Sequence, residues 1–239
     1  MGLPISVLAR GADALGAAAD RAVQAVFAEL VEVDRVFSPY RGDSDVSRIG
    51  RGEATPETCA PEVKDVAARC EQARALTGGL FDATRPDGTW DPSGLVKGWA
   101  TERAFAHLRG VAGLDWCLNA GGDVVVDCPS GAPFRVGIQD PRDPVAVATA
   151  VPCVMCAVAT SGTAARGSHL YDPRTGAATA TSWLSVTVTG PSLETADVLA
   201  TAAFVAGDEW RRIVALVDGY AGLGIDPAGA LVPTEGWPS

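Results

Sequence analysis

Two short segments carry the side chains that would be needed to bind a metal ion and a phosphate. Segment 91–98, DPSGLVKG, predicts a glycine-containing turn that exposes backbone carbonyls and then presents Lys97. Segment 194–201, ETADVLAT, predicts a helix start with Asp197 and Thr201 four residues apart on one face. Carbonyl, carboxylate and hydroxyl oxygens are the hard ligands that Mg²⁺ prefers, together with water and phosphate oxygens. With the lysine beside a phosphate, the two segments indicate a metal–diphosphate site.

Each of these segments also has an ordinary structural explanation. A tight turn around Gly94 followed by an exposed lysine is typical of a connection between a strand and a helix. An aspartate such as Asp197 near a helix start is favoured by the helix dipole, and a threonine inside a helix often bonds a backbone carbonyl. Taken alone, neither segment establishes a metal site. The candidate ligands are the Gly94 carbonyl, the Asp197 carboxylate and the Thr201 hydroxyl.

Length and charge exclude several classes of protein. The 239 residues, 47% of them hydrophobic, are enough to bury one substantial core. The formal net charge of −10 argues against binding to nucleic acid or to an anionic membrane surface. No apolar run reaches the ~18 residues of a membrane-spanning helix, and the first residues do not resemble a signal peptide. We therefore expect a cytoplasmic protein.

The six cysteines do not form an obvious framework. Without a secretory signal, we expect mostly reduced and buried thiols. Cys153 and Cys156 have the spacing C-x-x-C, but a zinc site would need two further ligands. We expect residues 146–159 to form one buried strand, in which the two side chains point to opposite faces. Metal or redox chemistry is therefore not the favoured interpretation of this pair.

The pattern of apolar residues predicts both helices and strands. Helices are expected over 12–36, from Pro61 to the glycines at 78–79, over 98–109 and near Thr195. Most of the predicted strands lie between residues 115 and 160, and a last strand is expected near 221–225. The absence of a strict β-α-β alternation indicates an α+β fold, with mixed or antiparallel sheets flanked by helices. Residues 1–239 are expected to form a single compact domain.

Three further segments have residue types suited to a ligand site. Segment 119–123, NAGGD, joins two strands, and its glycines allow close approach to a cofactor as well as a plain hairpin turn. Segment 80–84, LFDAT, offers a ring and a carboxylate, although a core phenylalanine and a capping aspartate explain it equally. Segment 159–163 ends a strand in small hydroxyl residues. His169 follows it and is a candidate for acid–base chemistry.

In this order the segments resemble the FAD:protein FMN transferase family, also called ApbE-type flavin transferases, in a short soluble form. The matching segments are 1–2, 37–40 with 43–44, 81–84, 91–98, 121–123, 137–141, 159–162, 169–176 and 196–201. One such match would mean little, whereas nine in the same order are specific. The resemblance implies an ApbE-like, T-fold-like domain.

The resemblance also implies an activity and a set of site residues. Members transfer FMN from FAD to a threonine or serine hydroxyl of a target flavoprotein, with Mg²⁺ as cofactor and AMP as the released product. The metal is then expected at Gly94, Asp197 and Thr201, and catalysis at His169 and Lys97. The expected FAD contacts are Met1, Ser38, Tyr40, Leu80, Phe81, Asp82, Asp91, Lys97, Ser161, His169 and Tyr171.

The chain departs from the family pattern at a few positions. Phe37 stands where methionine is common, Gly50 where asparagine is usual and Glu102 where aspartate is typical. The segment between Thr84 and Asp91 is shorter than in longer members. Two alternatives stay open: a Mg²⁺-dependent FAD pyrophosphatase, in which water replaces the acceptor hydroxyl at the same site, or a non-catalytic FAD-binding protein, for which these departures would be signs of drift. The intact metal and lysine set favours activity, because simple binding of FAD does not require a metal.

Overall fold

The computed structural model of the protein describes residues 2–163, 171–179 and 181–238. Two of the expected site residues, Met1 and His169, lie outside this range. The described helices are α1 (Ala17–Phe37), α2 (Asp45–Gly50), α3 (Pro61–Leu76), α4 (Ser93–Arg109), α5 (Leu193–Ala206) and α6 (Trp210–Val214). The described strands are β1 (Ile5–Arg10), β2 (Asp115–Ala120), β3 (Asp123–Asp127), β4 (Phe134–Gln139), β5 (Val147–Cys153), β6 (Met155–Gly162), β7 (Ser185–Gly190), β8 (Ala221–Ile225) and β9 (Leu231–Pro233).

The strands form a large sheet and a small ribbon. Seven strands lie in the order β1-β2-β3-β6-β7-β8-β9, and β4 pairs with β5 separately. Every pairing between these strands is antiparallel. The expected α+β class is therefore confirmed. The sequence left mixed and antiparallel sheets open, and the pairings between these strands are antiparallel.

Alternation along the strands builds a separate core on each face of the large sheet. Trp116 and Leu118 of β2 belong to the main core, which α1, α4 and α5 cover. Cys117, which lies between them, belongs to a second core with residues of the β4–β5 ribbon. Successive strand residues point to opposite faces, so a single strand supplies both cores. The central strands of the large sheet are therefore buried on both faces.

Helix α4 begins earlier than the sequence predicted. The expected helix covered 98–109 with a turn before it, whereas α4 begins at Ser93 and places Gly94 in its first turn. The Asp91 carboxylate accepts the Ser93 backbone N–H at 3.1 Å and so satisfies a donor at the helix start. Gly98, deep in this helix, allows close packing: a Cβ there would lie 2.9 Å from the Glu194 Cα. The prediction of a turn up to Gly98 was wrong, because this glycine lies inside the helix and allows α4 to pack closely against α5.

The single strand predicted over 146–159 was also wrong. The chain bends at Val154, so that β5 pairs in the ribbon and β6 in the large sheet. Cys153 and Cys156 then lie across a turn rather than along one strand, and they form a disulfide bond. The expectation that their side chains point apart fails for the same reason.

This disulfide gives a first testable prediction. Unfolding in denaturant without reductant should expose four thiols, and unfolding after reduction should expose six, as counted with a chromogenic thiol reagent. The four free cysteines are Cys59, Cys70, Cys117 and Cys128. Burial raises the pKa of Cys70 to about 12 and that of Cys117 to about 11, so both should react slowly in the folded protein. Six reactive thiols without reductant would contradict the Cys153–Cys156 bond.

Candidate active site

The packing of α4 against α5 brings the first two candidate residues together. The contact at Gly98 lets the backbones of the two helices approach closely. One residue earlier on α4, the Lys97 Nζ lies 3.3 Å from the Asp197 Oδ1 on α5. The α5 helix starts at a Ser192 cap whose hydroxyl accepts the Thr195 N–H. The structure thus joins the two segments that the sequence analysis singled out.

A third charged residue comes from the hairpin between β2 and β3. Gly121 and Gly122 form its two-residue turn, both with positive φ, as a tight antiparallel hairpin requires. Asp123 follows at the start of β3, and its Oδ2 lies 2.6 Å from the Lys97 Nζ. Its other oxygen, Oδ1, accepts the Thr160 N–H at 3.4 Å. The paired glycines therefore form a hairpin turn that places the Asp123 carboxylate beside the ammonium group of Lys97.

Burial makes these charges act strongly on one another. Asp123 and Asp197 are each 2% exposed, and the Lys97 side chain is 17% exposed. Among the charged side chains that the structure describes here, two carboxylates bonded to one ammonium group carry an excess negative charge. Because solvent is largely excluded, interactions between charges are less screened than at the surface. Such a site favours the arrival of further positive charge.

Hydroxyl groups lie directly beside the carboxylates. Thr201, one helical turn after Asp197, shares a hydrogen bond of 3.1 Å with the Ser161 hydroxyl on β6. The Thr160 hydroxyl pairs in the same way with Thr187 on β7 at 2.9 Å. The structure thus brings Ser161, an expected FAD contact, to Thr201, an expected metal ligand.

Phe81, an aromatic residue expected to contact FAD, packs against the first turn of α4. A Cβ on Gly94 would lie 3.3 Å from the Phe81 ring, so glycine lets the ring pack closely there. The Phe81 side chain is buried, and so is that of Leu80. Next to them, the Asp82 carboxylate accepts the Thr84 N–H at 2.7 Å and pairs with Arg74 at 2.9 Å. Segment 80–84 therefore combines core packing with contact to the candidate metal segment.

Asp91 and Tyr171, two further expected FAD contacts, both interact with the same arginine. Asp91 forms an ion pair with Arg85, a residue that the sequence analysis did not consider. Tyr171 lies near enough for Arg85 and Asp91 to act on its hydroxyl, and burial raises the pKa of Tyr171 above its usual value. This phenol therefore stays protonated and able to donate a hydrogen bond at neutral pH.

Ser38 and Tyr40 lie just after the end of α1. Ser38 is buried, and its carbonyl accepts a hydrogen bond from the Ser44 hydroxyl at 2.7 Å. Tyr40 is 87% exposed, so its ring has a face available for a ligand. Phe37 connects this region to the site helix, since its ring meets Trp99 of α4 edge-on at 5.4 Å.

The oxygen donors fit a hard divalent cation. Within the residues that the structure describes, no three His, Cys, Asp or Glu side chains are placed to hold a metal ion. A metal here would therefore need the mixed set of Asp197, Thr201 and the Gly94 carbonyl, completed by water and phosphate. A carbonyl that accepts a helical hydrogen bond keeps a second lone pair for a ligand. Such a partial protein shell is typical of Mg²⁺ in phosphate chemistry.

The residue that sequence reasoning missed is Asp123. Its segment was recognised as a possible cofactor turn, but the aspartate was not assigned to the site. A signal was available, because the carboxylate that precedes three valines in the strand DVVVD is costly to bury without a charged partner.

Comparisons with known proteins show which proteins this chain is similar to. The model of the ApbE family matches residues 1–87 and 84–222. A protein of Vibrio cholerae serotype O1 named FAD:protein FMN transferase is 26% identical over 245 residues, covering 78% of this chain and 73% of its own.

Solved structures with the same fold are also known. The crystal structure of the ApbE protein of Thermotoga maritima matches with a TM-score of 0.79 at 23% identity, over 98% of this chain and 94% of its own. The apo flavinyl transferase ApbE of Pseudomonas stutzeri matches with a TM-score of 0.76 at 22% identity, over 98% and 97%. These likenesses concern the fold, whereas the family model covers most of the sequence. The chain belongs to the ApbE family.

Proposed function

We propose that this protein is an FAD:protein FMN transferase that uses Mg²⁺ and acts on a serine or threonine hydroxyl of a target flavoprotein. The observation that carries the proposal is the buried group of Lys97, Asp123 and Asp197, with the Thr201 and Ser161 hydroxyls beside it. The family membership of the chain and its relative in Vibrio cholerae support the same activity. No described helix is long and apolar enough to cross a membrane.

Each residue of the group has a distinct role in this proposal. Asp197, Thr201 and the Gly94 carbonyl would hold Mg²⁺, which when bound would supply positive charge to the diphosphate of FAD and to the leaving phosphate. Lys97 adds a second positive charge to the same phosphates. Tyr171, whose phenol is protonated at neutral pH, and Asp91 are the polar groups proposed to orient FAD from the neighbouring cluster.

The proposed reaction moves one phosphoryl group. The acceptor hydroxyl oxygen bonds to the phosphorus of the FMN half, and the bond from that phosphorus to the bridging oxygen breaks. AMP leaves with the bridging oxygen, and the hydroxyl proton passes to a base. We assign the base to His169, which lies outside the described residues. General-base help of this kind is worth about 10²–10⁴ in rate.

The test follows AMP and flavin together. Purified protein is incubated with FAD and Mg²⁺, with and without EDTA, and with Ser- or Thr-containing peptides whose matched controls carry Ala at that position. We expect EDTA to lower AMP release by about 10³-fold, because metal stabilisation is worth several kcal/mol and each ~1.4 kcal/mol is a factor of ten. Mass spectrometry should find FMN on hydroxyl peptides only.

The other outcomes identify the alternatives. Free FMN and AMP in equal amounts, without a peptide adduct, would indicate a pyrophosphatase. Tight FAD binding with no AMP under any condition would indicate a carrier and contradict the proposal. If EDTA leaves AMP release unchanged, the metal has no part in the reaction, and that part of the proposal is wrong.

A further inference from the structure

Lys97 occupies a position that a bound cation would also favour. Its Nζ contacts the Asp123 Oδ2 at 2.6 Å and the Asp197 Oδ1 at 3.3 Å. Asp197 is also the carboxylate that the proposed function gives to the metal. The ammonium group and the metal thus share one carboxylate, and each lowers the affinity of Asp197 for the other.

Asp123 differs from Asp197 in what surrounds it. It begins a strand at a tight hairpin turn, where the ladder of β3 and the Thr160 N–H fix its carboxylate. Its contact with Lys97 is the shorter of the two. When a divalent ion takes Asp197, Asp123 is therefore the group that keeps the lysine nearby.

We propose that Lys97 is an internal counter-cation that competes with the metal for Asp197, and that Asp123 is the positioning residue that retains Lys97 when the metal binds. This inference rests on the proposed function. It assigns a role to Asp123, which contacts neither FAD nor acceptor in the proposed reaction. It also explains why both carboxylates are so deeply buried: each keeps an ionised partner with or without a metal.

The affinity of the site for the metal then depends on whether FAD is bound. Two carboxylates, one lysine and one divalent ion together carry a single excess positive charge. The diphosphate of FAD offsets this charge, so the metal binds more tightly with FAD than without it. Removal of Lys97 should abolish most of this difference, because the metal alone then balances both carboxylates.

The test measures Mn²⁺ binding by electron paramagnetic resonance on the purified, flavin-free protein. We expect Lys97→Met to bind Mn²⁺ about tenfold more tightly than wild type, since repulsion between like charges a few Å apart exceeds the energy of one decade in affinity. Lys64→Met is the matched control: Lys64 is exposed on α3 and should leave the affinity unchanged. Lys97→Arg keeps the charge and should stay close to wild type.

Asp123→Asn tests the positioning role. Without the Asp123 charge, Lys97 pairs more strongly with Asp197, so Mn²⁺ affinity should fall about tenfold. In the Lys97→Met background the same substitution should cost about threefold at most, because only the direct attraction between Asp123 and the metal remains and no lysine is released onto Asp197. Thermal melts check that every variant is folded, and Asp123→Glu, which keeps the carboxylate, should recover part of the affinity.

The outcomes separate this inference from the proposed function. If wild type binds Mn²⁺, Asp197→Asn abolishes binding and Lys97→Met does not tighten it, the inference is wrong while the metal site stands. An equal loss from Asp123→Asn in both backgrounds would show that Asp123 acts on the metal directly, and would also overturn it. Absence of Mn²⁺ binding in both wild type and Lys97→Met would overturn the metal site and the inference together.

Discussion

Replacement of Asp197 by asparagine should reduce metal-dependent AMP release by about 10³-fold or more. The substitution keeps the size of the side chain but removes the negative charge that the proposed metal site needs. Metal-ion catalysis is worth several kcal/mol, and each ~1.4 kcal/mol is a factor of ten in rate. Lys97 keeps its contact with Asp123, so no charge loses all its partners and the fold should persist. AMP release and the melting temperature, measured on the same sample, test both statements.

A matched control distinguishes loss of the site from a general loss of charge. Asp208→Asn removes an aspartate that is exposed in the turn following α5, and it should retain wild-type activity. Full activity in Asp197→Asn would remove this residue from the metal site. A large fall in melting temperature would instead mean that Asp197 is needed for the fold.

Replacement of Gly98 by valine should lower the free energy of unfolding by about 3 kcal/mol. The first added atom would lie 2.9 Å from the Glu194 Cα, 3.0 Å from the Leu193 carbonyl oxygen and 3.2 Å from the Glu194 nitrogen. All three are backbone atoms, so they cannot rotate away and the two helices must separate. For a chain of this length the loss corresponds to a fall of about 6–12 °C in melting temperature.

The same substitution should also damage the site. Separation of α4 from α5 moves Lys97 away from Asp197, so AMP release should fall even below the melting temperature. Gly50→Val is the control, because Gly50 is also helical but a Cβ there meets only the Thr89 methyl at 3.9 Å. Equal stability losses in the two variants would mean that the helix contact at Gly98 is not special.

Local patterns predicted much of the fold correctly. The helix from Pro61 is present as α3, and the strand at 221–225 is present as β8. These elements are specified by nearby residues: proline at the helix start, apolar spacing and flanking glycines. The start of α4 and the bend at Val154 were missed because both depend on remote partners, α5 in the first case and the β4–β5 ribbon in the second.

Part of the candidate site was readable for the same reason. Asp197 and Thr201 share a helix face through the helical repeat alone, and the segments in their order carried the family resemblance. The membership itself follows from the match of the family model. The FAD contacts and the role of His169 stay predictions.

By itself, the sequence determined the residue types at the site and the local geometry of each segment, since helical and strand periodicity act over a few residues. Only the tertiary structure decided that Asp123 meets Lys97, and that Lys97 stands between two buried carboxylates. These contacts join α4, α5 and the β2–β3 hairpin, and their distances depend on how closely the helices pack at Gly98 and on where the hairpin turns. Charges brought together in this way act strongly because packing removes the solvent around them, and that packing joins segments that are far apart in the sequence.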